Sequence, residues 1–366
     1  MENSCVIYGN KESDINRASE DIHNNKLVIF PTETVYGLGA NALSDDAVKK
    51  IFDIKRRNLS NPLIVHCLGI YDSLTICNLN NVENVIFKQL AKSFWPGPLT
   101  MVVKSKGIVS KLVTADSNFV GVRVPNNRTT LSFIRKCGVP IAAPSANISG
   151  KTSSTTLEHI KNYFNNKNIS IINDENYICK YGIESTIIKI EDNNITILRP
   201  GIITKNDLQN NFNKTKLNVN ISYKNELSKI VNSPGQDVSH YCPDKPVYIL
   251  NILDININPG DQTLYNEIHS KTEKLLQHII LIDFNSLCYK FRKKFLGYVD
   301  LSNNGDFKEA LFNIYNVFHQ INSLDCDKIY IFNFKFIEDE LNITLWDRLW
   351  RAAEGKEIAI PKCLLV

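Results

Sequence analysis

At 366 residues, with 43% hydrophobic and 22% charged side chains, the chain has ordinary globular composition and the length of two domains, which excludes a peptide-sized, disulfide-stapled, collagen-like or coiled-coil architecture. Lys+Arg 42 against Asp+Glu 38 leaves a net +4 and a pI near 8.4, short of the basic footprint of a dedicated nucleic-acid binder. The excess is uneven: residues 1–205 hold 24 basic and 18 acidic side chains, and 206–366 hold 18 and 20, so an anionic ligand is expected in the first part.

In chain order, LVIF (27–30) is a short apolar run ending at Pro31, the mark of a buried strand, followed by a Gly-bearing loop, PTETVYGLGANAL. Ser44 is placed to cap a helix with Asp45 and Asp46 in its first turn. Val48, Ile51, Phe52 and Lys55 recur at i, i+3, i+4 and i+7, so one face packs inward and Lys55, Arg56 and Arg57 arrive at the C-terminal end. LIVHC (63–67) and LTMVVK (99–104) are further strands, the second behind the stiff turn Trp95-Pro96-Gly97-Pro98. FVGVRVP (119–125) alternates: Val120, Val122 and Val124 share one face and Arg123 projects from the other. PIAA (140–143) runs into the small-residue loop PSANISGKTSSTT, and residues 185–201 form a hairpin turning at Asp192, Asn193 and Asn194. Interleaved strands and helices predict an α/β first domain with a mixed sheet over residues 1–205.

From 206 to 245 the pattern dissolves into Asn- and Lys-rich sequence, expected to be a disordered linker or a functional loop. Beyond it VYIL, HIILIDF, FLGYVDL and KIYIFNF predict strands, and KEALFNIYNVFHQI and LWDRLWRAAEG predict helices, giving a second, smaller α/β domain over 246–366. Trp346 and Trp350, at i and i+4, are expected to pack in its core. The nine cysteines are odd in number, scattered, and never form Cys-x-x-Cys; reduced thiols are expected, without a zinc site. No run of about 18 apolar residues is present to span a bilayer, and a polar N-terminus lacks a signal-peptide core. A soluble cytoplasmic protein is expected.

Gly37-Leu-Gly39-Ala-Asn-Ala42 satisfies a dinucleotide fingerprint, but PTETVY separates it from the preceding strand and no acid follows about 20 residues on to hold a ribose. Walker A, H-E-x-x-H and G-x-S-x-G motifs are absent. What remains are polar clusters at strand ends and loops: Thr32 and Thr34, Lys55 and Arg57, His66, Arg123, Ser145 with Asn147 and Ser149, Ser185 with Thr186, and Arg199. Cations and hydroxyls without a nucleophile suit phosphates and carboxylates.

PTETVYGLGANAL, IKRRNLSNPLIVH, FWPGPLT, VGVRVP, APSANISG and ESTI…ILRPG, in this order, resemble the YrdC-like threonylcarbamoyl-AMP synthase family. SPGQDVSHYCP followed by a second α/β domain, with LWDRLWRAA near the end, resembles its longer two-domain form. The resemblance implies a twisted mixed-sheet domain with a basic cavity, a linker acting as a lid, and a Rossmann-like C-terminal domain. It implies a nucleotidyltransferase that joins L-threonine, bicarbonate and ATP into L-threonylcarbamoyladenylate and pyrophosphate, with Mg²⁺ and no metal ligand from protein side chains, for t6A at position 37 of tRNA. The downstream tRNA threonylcarbamoyl transferase is the implied partner, with a weak tRNA contact, no membrane, and a monomeric state.

Carried over by position, Lys55 and Arg57 would be catalytic and hold ATP phosphates and the carbamate. Asn61, Ser145, Asn147, Ser153, Arg199 and Tyr241 would meet ATP. Thr34, His66, Arg123, Ala143 and Ser185 would bind L-threonine, Arg123 taking its carboxylate. Phe119 stands where many relatives place a small polar residue, and Gln236 to Ser239 where many place basic ones, so neither is expected to touch the nucleotide. Two other readings stand beside this one: a non-catalytic double-stranded RNA or tRNA-binding module on the same fold, and a different carbamoyl-adenylate chemistry.

Overall fold

A computed structural model describes residues 6–9, 11–165, 167, 169–174, 179–213, 215, 217–224, 240–254 and 262–365. The chain divides into two compact units, Met1–Ser149 with Ser153–Gln236, and Gly150–Thr152 with Asp237–Val366.

The first unit is built on strands β1 (Val6–Tyr8), β2 (Val28–Phe30), β3 (Gly37–Asn41), β4 (Ile64–His66), β5 (Leu99–Lys104), β6 (Phe119–Arg123), β7 (Ile141–Ala143), β8 (Ser170–Asn173), β9 (Thr186–Glu191), β10 (Asn194–Arg199) and β11 (Asn220–Tyr223). They form one mixed sheet in the order β1-β8-β2-β3-β7-β4-β6-β5-β9-β10-β11. β4 and β6 run parallel, with His66 paired to Arg123 in register. This pairing sets two predicted site residues side by side. β7 runs antiparallel to β4, aligning Ala143 with Ile64.

The helix Asp45–Lys55 starts where Ser44 accepts the Ala47 N–H and stops at Arg56, which takes the left-handed conformation at φ 53°. Its buried face is Ala47, Val48, Ile51, Phe52 and Lys55, so the amphipathic stripe that drives the helix into the core also carries Lys55 inward. Val48, Ile51 and Phe52 join Val65, Met101, Val122 and Ile188 in the main core.

Two expectations change. GLGAN is strand β3, not loop: a Cβ at Gly37 would stand 2.9 Å from Phe30 Cζ, and one at Gly39 2.6 Å from Phe30 Cε1. These glycines let the Phe30 ring lie flat on the next strand, a packing role in place of a phosphate cradle. Residues 206–223, read as linker, carry all but the first residue of the helix Lys205–Phe212 and also β11, which extends the sheet beside β10. Leu208, Phe212 and Ile221 supply the burial that the surrounding asparagines obscure.

The second unit carries β12 (Val247–Leu253), β13 (Ile279–Asp283), β14 (Gly297–Asp300), β15 (Lys328–Phe332) and β16 (Glu357–Pro361) in an all-parallel sheet ordered β14-β13-β15-β12-β16. The helices Phe307–Asn322 and Glu340–Ala352 lie where they were expected; β16 and the helix Gln262–Leu276 were not foreseen. Trp346 is buried edge-on against Phe334, whereas Trp350 is 37% exposed and is not core. Among the described residues no helix is long and apolar enough to cross a membrane.

Candidate active site

The predicted site residues of the first unit converge in three linked groups. The first joins the loop after β2 to the ends of β4 and β6. Arg123, 4% exposed, donates from Nη2 to Glu33 Oε1 at 2.7 Å and to Thr34 Oγ1 at 2.8 Å, and from Nε to Gly97 O at 3.3 Å. The other Glu33 oxygen accepts the Asn126 N–H at 2.9 Å. Thr32 spends its hydroxyl hydrogen on Val35 O, so in the 2.8 Å contact between the two hydroxyls Thr34 is the donor. Thr34 Oγ1 therefore accepts from Arg123, donates to Thr32, and has only acceptor capacity left for a ligand.

His66, beside Arg123 on the sheet, is 4% exposed and meets Phe30 edge-on at 5.6 Å. Burial, reinforced by the Arg123 charge, pushes its pKa down to about 3, so the ring is neutral. Its Nδ1 makes no hydrogen bond among the described residues. The unfolded chain protonates His66 below about pH 6.5 and the folded one only near pH 3, so in this window the unfolded state binds more protons and stability falls as pH falls. Urea unfolding of the wild type should lose about 2–3 kcal/mol through this residue between pH 6.5 and 4.5. His66→Gln should show a correspondingly shallower slope; equal slopes would contradict a neutral buried ring.

The second group surrounds Lys55, 1% exposed. Its ammonium donates to Ser145 O at 2.6 Å and to Asn147 O, and the Ser149 N–H returns to Lys55 O at 3.0 Å. The S-x-N loop is thus wrapped around the lysine. Burial, then repulsion from Arg57, holds the Lys55 pKa well below its ordinary value, with Glu184 opposing. Arg57 grips the following turn through Asn61 O (3.1 Å), Asn61 Oδ1 (2.7 Å) and Pro62 O (3.0 Å). Tyr36 ties this loop to the first group, its N–H reaching Ser154 O and its carbonyl accepting from Ala146 N. Ser149 Oγ has no hydrogen-bond partner among the described residues.

The third group lies at the start of β9. Arg199 donates from Nε and Nη2 to Ser185 O at 3.2 and 2.9 Å, and Ser185 Oγ sits 2.8 Å from Thr100 Oγ1. Ser153 Oγ donates to Glu184 Oε1 at 2.6 Å. Ala143 ends β7, buried. Tyr241 belongs to the second unit: fully buried at φ 66°, its ring stacks on Tyr315 at 5.6 Å beneath the Arg348 guanidinium at 4.9 Å. Residues 225–239, including Gln236 to Ser239 of the expected lid, lie outside the described residues. Sequence reasoning missed Glu33, Glu184 and Thr100. Glu33 and Glu184 stood inside recognised motifs, and an acid in a site read as cationic was the available signal.

Residues 20–201 match the family described as "Telomere recombination", and residues 203–354 match "Threonylcarbamoyl-AMP synthase, C-terminal domain". The chain is 40% identical over 239 residues to the threonylcarbamoyl-AMP synthase of Bacillus subtilis, covering 65% of this chain and 67% of the relative. The chain belongs to the threonylcarbamoyl-AMP synthase family. The Pyrococcus abyssi synthase is 37% identical over 241 residues, 66% of this chain and 68% of its own. The crystal structure of P. abyssi Sua5 complexed with L-threonine superposes with a TM-score of 0.78 at 29% identity, over 97% of this chain and 99% of that one. The family's α/β architecture is therefore present across both units.

Proposed function

We propose that the chain is a threonylcarbamoyl-AMP synthase, a nucleotidyltransferase converting L-threonine, bicarbonate and ATP to L-threonylcarbamoyladenylate and pyrophosphate. The observation carrying this reading is the burial of its cations: Lys55 1%, Arg57 9%, Arg123 4% and Arg199 5% exposed. Inward cations match small anions. A nucleic-acid duplex needs them exposed along a surface, so the RNA-module alternative draws no support from these four residues.

In this reading Arg123, Thr34, His66 and Ser185 hold threonine, with Ala143 at its methyl-sized end, while Lys55, Arg57, Asn61, Ser145, Asn147, Ser153 and Arg199 hold the triphosphate and carbamate. The amine attacks bicarbonate with loss of water, giving an N-carboxy-threonine. That carboxylate attacks the α-phosphate and pyrophosphate leaves. No protein nucleophile is required; the chain positions two mutually repelling anions and stabilises the charge that develops on the phosphates. The donors around Lys55 are hydroxyls, amides and cations, and both buried carboxylates already hold partners. They do not form a cage for Mg²⁺, which would enter with the nucleotide. Action in the cytoplasm as a monomer and delivery of the product to a tRNA threonylcarbamoyl transferase complete the proposal.

The test is pyrophosphate release from labelled ATP. Release requiring both threonine and bicarbonate is expected; release independent of either would overturn the reading. A salt-sensitive RNA affinity that survives Arg123→Ala, without ATP turnover, would establish the alternative.

A further inference from the structure

Arg123 has five N–H hydrogens, and the protein consumes three of them: one from Nε on Gly97 O and both from Nη2 on Glu33 and Thr34. Nη1 makes no hydrogen bond among the described residues. The guanidinium is therefore clamped along the edge that would ordinarily give a two-nitrogen grip on a carboxylate, and one nitrogen is presented to the ligand. The clamp is Glu33, wholly buried, with each oxygen engaged, one by Arg123 and the other by the Asn126 N–H. That backbone N–H anchors the carboxylate, which together with Gly97 O and Thr34 Oγ1 holds the guanidinium in one orientation.

Glu33 and Arg123 form a buried ion pair, 1% and 5% exposed in their side chains, and His66 beside them is neutral. The three side chains together carry no net charge. Such a group accepts one carboxylate through Nη1 yet offers no excess positive potential to a polyphosphate, unlike Lys55 with Arg57.

We propose that Glu33 is a positioning and specificity-determining residue: it aims Arg123 Nη1 at the amino acid's carboxylate and keeps the amino-acid pocket neutral, so that phosphate anions do not occupy it. This rests on the reading of the Arg123 group as the amino-acid site.

The experiment is steady-state kinetics with a double-mutant cycle. Glu33→Gln keeps the shape and an acceptor for Nη2 but removes the charge, and it sets a side-chain N–H₂ or the wrong rotamer against the Asn126 N–H. It should raise the threonine KM about tenfold or more, shift the ATP KM less than twofold, and make inorganic phosphate compete with threonine. In an Arg123→Ala background the same change should cause no further loss of threonine affinity, because Glu33 acts through Arg123 and its removal there only relieves an unpaired charge. A merely structural role would lower kcat or stability without separating the two KM values. Should Glu33→Gln fold poorly, calorimetric threonine binding to Glu33→Asp, which keeps the charge but retracts the carboxylate, reads the aiming alone and should also weaken. An unchanged threonine KM, or losses that add in the double variant, would overturn the role of Glu33 while leaving the amino-acid site standing. A wild-type protein that binds no threonine would overturn both.

Discussion

Arg123→Ala should abolish threonine-dependent turnover, by about 1,000-fold or more, and should also lower stability. Two separable losses combine. The substrate carboxylate loses a charge-assisted contact worth about 1.5–3 kcal/mol, roughly ten- to 150-fold. The remaining factor comes from the disordering of Thr34 and Glu33, which both lean on Arg123 Nη2. The stability loss has a different origin: Glu33 stays behind as a buried carboxylate without its cation, and breaking such a pair costs about 3–5 kcal/mol. Replacing both partners with Glu33→Gln and Arg123→Met should recover most of the stability and none of the turnover. Urea midpoints beside pyrophosphate-release rates separate the two effects. Near wild-type turnover in Arg123→Ala would remove this residue from the threonine site.

The elements legible in the sequence were those whose signal is local. The Ser44 cap and the stripe from Val48 to Lys55 belong to one helix, and the alternation from Val120 to Val124 to one strand and the residue after it, and the structure reproduces them. Where the deciding partner is distant, the sequence misleads. Gly37 and Gly39 read as a loop because nothing nearby announces the Phe30 ring that requires them. The stretch 206–223 reads as linker because its apolar residues are few and scattered among asparagines, yet β10 supplies a ready strand edge for β11. The site divides along the same line. Its cations and hydroxyls were visible as residue types at motif positions. Glu33 was not, since its function appears only when β6 brings Arg123, ninety positions away, against it.

Lys55→Ala should cost at least about 100-fold in turnover, with the ATP KM rising far more than the threonine KM. The ammonium gives two of its three hydrogens to Ser145 O and Asn147 O and keeps one for a ligand. Removing it deletes a charge-assisted contact to phosphate, about 1.5–3 kcal/mol, and also leaves two loop carbonyls without their donor, so the S-x-N loop loses its anchor. Lys55→Arg should not rescue the loss, because a planar fork cannot fill a socket shaped by two converging carbonyls around a point charge. The pH dependence carries a second signature. Burial already holds the Lys55 pKa well below its ordinary value, and an incoming triphosphate favours the charged form, so at pH values near and above that lowered pKa ATP binding should draw a proton onto this residue. In the wild type ATP affinity should therefore weaken as pH rises through that lowered pKa, well before ordinary lysines titrate, and calorimetry in buffers of different ionisation enthalpy should register proton uptake. Loss of this uptake in Lys55→Ala ties it to Lys55; uptake persisting in the variant would assign it to another group and leave Lys55 as a structural anchor for the loop.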